Sequence, residues 1–321
     1  MENIEKFVKS DDESLFEIIG YSEESIDQLD SAPYSYWKAT FKTLFKNKVT
    51  IGCLAILVVI LFFTIFGPMM KYYDPAYYFG SQSSGSYLRP NSVNWFGTTY
   101  EGYDIWSVMW KGSQLSLEIA VTVSLINAFL GLVIGSIWGF FPKLDPILVE
   151  VRNFIDNVPG LLLNMMFMQF FNYYNVNTFA SLIIVMTLFG WLGLASTLRN
   201  NIIIIRNRDF NIASKTLGSK PTAIITHNLL PYLVSIIVTI LATAIPSAID
   251  SEVSLAFFNL SYTFPTITLG SLITKVTSNT SGWMSNPHTM LIPSSVIILM
   301  TISFYYIGFS LADATDPRQH R

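Results

Sequence analysis

Charge, cysteine and histidine are all scarce in this sequence, and each scarcity excludes something. Only 13% of the 321 residues are charged, while 51% are hydrophobic; ordinary soluble domains carry about a quarter charged residues. A single cysteine, Cys53, excludes an intrachain disulfide and a cysteine-cluster metal site. The three histidines, His227, His288 and His320, are dispersed, so no histidine metal centre is predicted.

Long stretches without charge predict membrane-spanning helices. The hydrocarbon core of a bilayer is about 30 Å thick, so a helix rising roughly 1.5 Å per residue needs about 20 uncharged residues to cross it. Five stretches qualify: 22 residues after Lys48, 24 after Glu118, 42 after Asp156, 29 after Lys220 and 37 after Lys275. A polar turn at Asn172–Thr178 divides the 42-residue stretch into two crossings. We predict an all-α membrane protein with about six transmembrane helices, at residues 50–69, 115–141, 152–171, 179–198, 229–249 and 289–311.

The distribution of Lys and Arg predicts the orientation, because these residues are retained on the cytoplasmic side. With the amino terminus inside, 15 of the 19 basic residues fall in cytoplasmic segments, and the outside keeps Lys71, Arg89, Lys111 and Lys275. Both termini are therefore predicted to be cytoplasmic. The first apolar run begins too far into the chain, and is too long, for a cleaved signal peptide, so we expect it to remain as an anchor.

Composition divides the chain into three segments. Residues 1–35 hold ten acidic residues and predict an acidic cytoplasmic extension. Residues 36–49 interleave lysines with aromatic side chains, a pattern suited to the headgroup region. Residues 50–321 form the predicted transmembrane domain, with an outer loop at 70–114 and a cytoplasmic loop at 199–228.

The outer loop is crowded with aromatic residues. Trp106 and Trp110 lie four apart, which predicts a short helix lying on the membrane. The aromatic side chains form either an interfacial belt or a platform for a partner outside. In the following span, Gly131, Gly135 and Gly139 recur every four residues and predict a groove where another helix packs closely.

The loop between the fourth and fifth predicted spans carries the most informative pattern. Asp209–Leu217 predicts a short helix, and Gly218 predicts a turn with positive φ. Ser219 is expected to cap a second helix with Pro221 in its first turn. Two short helices meeting at a glycine make a compact, protruding knob.

This knob resembles the cytoplasmic EAA loop of binding-protein-dependent ABC importers. Ile212, Ala213 and Ser214 stand at the Glu-Ala-Ala positions of that loop, and Gly218 stands at its glycine. Asn228, Leu230 and Pro231 stand at its closing element. Ile212 departs from the family's Glu. The role of that acid in relatives is therefore either missing or supplied by Asp209.

The resemblance extends from about Tyr36 to the end and points to the C-type subunit of oligopeptide and dipeptide permeases. Segments similar to that subfamily's signatures are Trp95–Thr98, Gly102–Trp106, Glu252–Phe258, Thr268–Gly270 and Leu311–Arg318. Thr99, Tyr103 and Val108 replace charged or polar positions of the family pattern.

The resemblance implies the type I ABC importer transmembrane fold in a bacterial plasma membrane, surrounded by lipid. This subunit would form half of a peptide path, beside a second homologous permease, two ABC ATPases and an extracellular peptide-binding lipoprotein, with no nucleic acid involved. The chain itself would be no enzyme and would hold no cofactor, since ATP and Mg would bind the ATPases. The sequence agrees, because it has no Gly-x-x-x-x-Gly-Lys-Ser/Thr phosphate-binding motif. The ATPase-coupling residues implied are Asp209, Ala213, Ser214, Lys215, Leu217, Gly218, Ser219 and Lys220.

Charged residues near the spans are further candidates. Asp250, Glu252 and Asp156 are translocation-path candidates, because acids in a bilayer are costly; interfacial placement is the alternative. Asp156 also stands four residues after Arg152, which predicts a helical ion pair. Glu118 is expected to open the second span. Arg206, Arg208, Lys215 and Lys220 either add charge complementarity to an ATPase or reflect only the retention of basic residues inside.

Other classes of protein stay open as alternatives. A secondary transporter would show more spans, or an inverted repeat with buried ionisable groups. An intramembrane enzyme would show motifs such as His-Glu-x-x-His or Gly-x-Ser-x-Gly, which are absent. Among ABC importers, a nickel, sugar or other small-solute permease is a further alternative.

The predicted topology is testable with single cysteines in a Cys53→Ser background. An impermeant thiol reagent added outside should label Ser281→Cys, in the segment before the sixth span, and leave Ser219→Cys unlabelled until the membrane is opened. The reverse labelling pattern would overturn the topology.

Overall fold

The computed structural model describes residues 36–71, 86–224, 230–262 and 266–315. The predicted acidic extension at 1–35, residues 72–85 of the outer loop, Asn228 and the end of the tail at 316–321 lie outside the described residues. The described residues from Lys38 onward belong to one compact unit. The long apolar helices all belong to the unit at 38–321.

The described residues are almost entirely helical, which confirms the predicted all-α class. The helices are α1 (Tyr36–Leu44), α2 (Lys48–Met70), α3 (Ile105–Phe140), α4 (Asp145–Asp156), α5 (Gly160–Tyr173), α6 (Thr178–Arg206), α7 (Asp209–Thr216), α8 (Pro221–Ala223), α9 (Leu230–Phe257), α10 (Leu269–Ser278), α11 (Thr280–Ser285) and α12 (His288–Thr315). A 3-10 turn at Pro142–Leu144 separates α3 from α4.

Five helices in the described residues are long and apolar enough to cross a membrane: α2, α3, α6, α9 (from Ile236) and α12. They correspond to five of the predicted spans. The predicted third span at 152–171 is not one helix but two shorter ones, α4 and α5, separated at Asn157–Pro159. Pro159 has no N–H and disfavours helical backbone at Val158, which favours a break here. Proline alone does not impose one, since Pro68, Pro246 and Pro293 lie inside continuous helices.

Several helices extend beyond their predicted ends. α6 continues to Arg206 instead of ending at residue 198, so the loop after it begins at 207. α9 reaches Phe257, which places Asp250 and Glu252 inside the helix, not past its end. Glu118 lies well inside α3 and does not open it. Charge spacing finds only the apolar part of a helix, whereas these helices continue where polar side chains find partners.

Trp106 and Trp110 belong to the first turns of α3, which corrects the predicted surface helix and ends the outer loop at Asp104. The Asp104 carboxylate caps α3 by accepting a main-chain N–H of the first turn at 3.1 Å. The indole of Trp106 donates to the Gly67 carbonyl of α2 at 3.2 Å. Trp110 stacks on Phe63 of α2, with ring centroids 5.3 Å apart. Both indoles are thus buried between helices.

Gly131, Gly135 and Gly139 lie where α3 packs against α6. A Cβ atom added at any of the three would lie 2.7–2.8 Å from atoms of α6. Carbon contacts that short are repulsive, so the missing side chains set the separation of the two helix axes.

We expect Gly135→Val to lower the free energy of unfolding of the purified protein in detergent by about 1–3 kcal/mol, which is typical of overpacked sites. Its added carbons would meet the main chain of Ala195, which cannot move aside. Gly52→Val is the matched control, because a Cβ at Gly52 meets nothing within 4 Å. Equal losses in the two variants, measured by circular dichroism on heating, would contradict the packing assignment.

Candidate functional site

The break between α4 and α5 lies beside a cavity in the helix bundle. α5 has 14 residues, about 21 Å at the usual helical rise, and is too short to cross a bilayer alone. Irregular backbone at membrane depth is tolerated only where protein buries it or where it lines a cavity. Val158 and Gly160 line a cavity of about 710 Å³, so the break meets that condition.

Five helices contribute polar side chains to this cavity. They are Asn127 of α3, Arg152 and Asp156 of α4, Asn164 of α5, Thr197 of α6, and Thr243, Ser247 and Ser251 of α9. The cavity runs along α6 from Met186 to Thr197, which is the middle of that helix. Asp156, Thr197 and Ser247 are exposed, so this polar chamber opens to the surface of the chain.

The charges at one end of the chamber are paired. Arg152 Nε donates to Asp156 Oδ2 at 2.9 Å, the ion pair that the sequence predicts. The guanidinium also donates to the hydroxyl of Ser196 on α6. Of the three acidic translocation-path candidates, only Asp156 lines the cavity.

Glu252 lies outside the chamber and is fully buried among hydroxyl groups. Its carboxylate accepts hydrogen bonds from Thr268 at 2.6 Å, Ser261 at 2.8 Å and Ser116 at 3.4 Å. Thr268 is the N-cap of α10, so the Glu252 carboxyl group also lies beside the positive end of that helix. Glu252 thus links α3 and α9 to the start of α10 and does not line the chamber. Its predicted place on a translocation path stays a prediction.

Asp250, two residues earlier on α9, is exposed on the surface of this chain. It does not line the chamber either. Neighbouring positions of α9 point in different directions, because successive helical residues are about 100° apart. This explains why Asp250 and Glu252 have such different surroundings.

The loop after α6 forms the predicted knob. α7 ends at the cap residue Leu217, and Gly218 has φ of 83°. The Ser219 N–H donates to Ser214 O and the Gly218 N–H to Lys215 O, both at 3.1 Å, which is the Schellman pattern of a helix end. Only glycine takes this conformation without strain.

The second short helix begins one residue later than the sequence suggests. The Lys220 carbonyl accepts from the Ile224 N–H at 3.1 Å, so Lys220 and not Ser219 is the cap residue of α8. Pro221 is the first helical residue, as predicted.

Seven of the eight coupling candidates are exposed on the knob, and Ser214 is half-buried. Exposure includes large apolar side chains: Leu217 is 86% exposed and Ile212 is 51% exposed. Exposed apolar side chains beside basic ones are typical of a surface that meets a protein partner.

Asn211 and Arg206 tie the knob to the ends of the long helices. Asn211 is buried, and its Nδ2 donates to the Ile205 carbonyl at the end of α6 at 2.9 Å. Arg206 Nη1 donates to the Gly139 and Phe140 carbonyls at 2.9 and 3.1 Å, where α3 ends. A cation there also suits the negative end of the helix. Arg206 is therefore occupied within the bundle, which leaves Arg208, Lys215 and Lys220 as exposed charges.

Asp145 joins α4 to α3 and α6 near the same end. Its carboxylate accepts from Arg199 Nε of α6 at 2.6 Å and from Trp138 Nε1 of α3 at 2.9 Å. The Arg199 guanidinium also lies 5.4 Å from the centre of the Trp138 ring. The hydrogen bond from Arg199 is the main reason that the pKa of Asp145 lies below its ordinary value. The sequence analysis did not identify Asn211 or Asp145, because neither has a sequence spacing that indicates its hydrogen-bond partner.

We expect Asp145→Asn to lower the melting temperature at pH 7, since it removes the partner of Arg199. Because the folded pKa of Asp145 is depressed, its stabilisation is present above the unfolded value of about 3.9 and is lost as the pH falls through the folded value. The stability difference between wild type and variant should therefore shrink in acid. Asp156→Asn is the control, because its pair with Arg152 is 39% and 56% exposed and exposed pairs contribute little. A difference that does not change with pH would contradict this role.

Comparison with known proteins identifies the family. The pattern of the family described as binding-protein-dependent transport system inner membrane component matches residues 131–321, and that of the N-terminal TM domain of oligopeptide transport permease C matches residues 35–90. The oligopeptide transport system permease protein AmiD of Streptococcus pneumoniae is 34% identical over 97% of this chain and 99% of its own. The oligopeptide permease protein OppC of Bacillus subtilis is 26% identical over 99% of both chains, and the dipeptide permease protein DppC of the same species is 27% identical over 92% and 90%.

The family match covers more than half of the chain, and the AmiD relative covers nearly all of it. Both agree with the long apolar helices of the structure. The chain therefore belongs to the binding-protein-dependent transport system inner membrane components, the membrane-spanning permeases of ABC importers.

Proposed function

We propose that this chain is one permease subunit of an ATP-driven importer of oligopeptides or dipeptides. The observation that carries the proposal is the physical continuity between the exposed knob and the walls of the polar chamber. The relatives AmiD, OppC and DppC are peptide permeases that match this chain over nearly their whole length, and they support the choice of substrate.

The continuity runs through three helices. α6 carries the knob at its end and contributes Thr197 to the chamber. α4 contributes Arg152 and Asp156 to the chamber and is bonded to α6 through Asp145 and Arg199. α3 is bonded to the same end of α6 through Arg206 and contributes Asn127 to the chamber. A displacement of the knob is thereby transmitted to the chamber walls as rigid-body movement of helices.

The knob is the proposed docking point for an ABC ATPase. Its exposed Leu217 and Ile212 offer apolar contact area, and Lys215 and Lys220 offer positive charge. ATP and Mg would be bound and used in two such partner subunits, so this chain contributes movement and not nucleotide chemistry. Ile212 replaces the acid of the family motif, so contact at that position is apolar.

A second permease subunit is the proposed cover for the exposed polar positions of α9. Asp250 is exposed on a helix that is long and apolar enough to span a membrane. A carboxylate facing hydrocarbon costs about 2.5–3.5 kcal/mol, whereas one facing a partner or an aqueous path does not. Asp250 and Asp156 therefore remain our translocation-path candidates, on the surface and in the chamber respectively. An extracellular peptide-binding lipoprotein would deliver the substrate.

The proposal is tested by purifying the complex from its source membrane and reconstituting it in liposomes with its binding protein. Two ATPase subunits and a second permease should copurify, and labelled peptide should accumulate only with ATP. Accumulation without a nucleotide-hydrolysing partner would favour a secondary transporter, and nickel uptake without peptide uptake would favour the metal permease; either result would overturn the proposal.

We expect Gly218→Pro to leave membrane insertion intact and to abolish transport-stimulated ATP hydrolysis, because proline cannot adopt a φ of 83°. Gly218→Asn is the matched control, since asparagine tolerates this backbone region. It should retain most of the stimulation. If Gly218→Pro hydrolyses ATP normally in response to loaded binding protein, the knob is not the coupling element.

A further inference from the structure

We propose that Asn127 binds the main chain of the peptide in transit, by accepting a hydrogen bond from a peptide N–H through its side-chain oxygen. The inference rests on the proposed function and assigns a ligand contact within the chamber. The substrate feature recognised in the chamber is then the amide backbone and not a side chain.

Asn127 combines burial with an unmet hydrogen-bonding capacity. It is 9% exposed, lies in the apolar part of α3 and lines the chamber. Its Nδ2 donates to the Met186 carbonyl of α6 at 3.4 Å. Its Oδ1 is buried and has no hydrogen-bond partner in the part of the chain that the structure describes. Burying an acceptor without a donor costs about 1–3 kcal/mol, and a ligand that supplies the donor would remove this cost.

The charged and hydroxyl side chains of the chamber have their charges or donors occupied, whereas the other amide, Asn164, is half-buried and can meet water. Arg152 and Asp156 pair with each other. The hydroxyls of Thr197, Ser247 and Ser251 each donate to a main-chain carbonyl of their own helix, at 3.0, 2.8 and 2.9 Å. Asn127 Oδ1 differs from these groups because its need for a donor is not met locally.

Gly190 makes room for the Asn127 amide. A Cβ at Gly190 would lie 2.5 Å from Asn127 Nδ2 and 3.0 Å from Oδ1. Any side chain at this position would displace the amide from α6. Two residues on different helices are thus matched to hold one carboxamide against the chamber.

The chemistry of the acceptor selects the main chain. Every peptide, whatever its sequence, presents N–H donors at regular intervals, so one fixed acceptor can hold peptides of many sequences. Ligand cavities usually measure about 300–1,000 Å³, and the volume of about 710 Å³ falls in this range. A carboxamide is neutral, so it also adds no fixed charge that would retain a charged peptide too tightly for release.

The test uses the reconstituted complex and a series of tetra-alanine peptides, each N-methylated at one amide. Methylation removes the N–H donor and preserves the sequence. Transport is measured with the binding protein saturated by each peptide, so that differences in capture are excluded. We expect methylation at one amide to slow wild-type transport about three- to tenfold, the value of one hydrogen bond.

Asn127→Leu should transport the unmethylated peptide about three- to tenfold more slowly than wild type. It should no longer distinguish the methylated peptide, because the acceptor is gone; this loss of discrimination is the coupling that a double-mutant cycle measures. Asn127→Gln keeps the amide oxygen and should restore part of the discrimination. Asn201→Leu is the matched control, since Asn201 lies outside the chamber lining and donates to the Thr197 carbonyl of its own helix.

Two outcomes overturn the inference. One is that no methylated peptide is slowed in the wild-type complex, a result that needs no variant to fold. The other is that Asn127→Leu discriminates as wild type does. If the wild-type complex imports no peptide at all, the proposed function itself fails, which is a distinguishable result.

Discussion

Peptide groups in hydrocarbon must find their hydrogen-bond partners within the protein, and the rest of this structure depends on that requirement. The five long helices make most of these bonds within themselves, although α2, α9 and α12 each contain a proline. The segment at Asn157–Pro159 does not, because the helix is interrupted there and Pro159 supplies no N–H. That interruption is accommodated where five helices diverge enough to leave a polar chamber. The helix break and the chamber are therefore two aspects of one arrangement.

Close packing and helix-end contacts join α3, α4, α6 and the knob. Glycines let α3 and α6 approach along their length. At the end near the knob, Arg206 binds the last carbonyls of α3 and Arg199 binds Asp145 of α4. Asn211 fixes the knob helix to the end of α6. Each contact satisfies a group that would otherwise remain unpaired, so it stabilises the junction of these helices.

The buried polar groups fall into distinct physical situations. Glu252 is surrounded by hydroxyl donors and lies against a helix N-terminus, so its carboxyl group is hydrogen-bonded in place and links helices. Arg152 and Asp156 neutralise each other beside the chamber. Asn127 is the contrasting group, with a buried oxygen that lacks a donor among the described residues. Burial alone does not separate these situations, so the hydrogen bonds of each group have to be considered with it.

The sequence by itself determined the helical class, the positions of most spans and the knob at Gly218, because all three depend on local properties. A charge-free run of sufficient length excludes water along a helix, and a glycine after a short helix permits the positive φ that ends it. The ion pair of Arg152 with Asp156 was equally predictable, since four residues make about one helical turn.

Only the tertiary structure decided which polar residues face the chamber. Asp250 and Glu252 are close in sequence, yet one is exposed and the other is buried among hydroxyls from three helices or their caps. Trp106 and Asn127 acquired their roles from α2 and α6, which lie far away along the chain. Side-chain environments of this kind depend on how distant helices meet, and no local spacing in the sequence encodes that geometry.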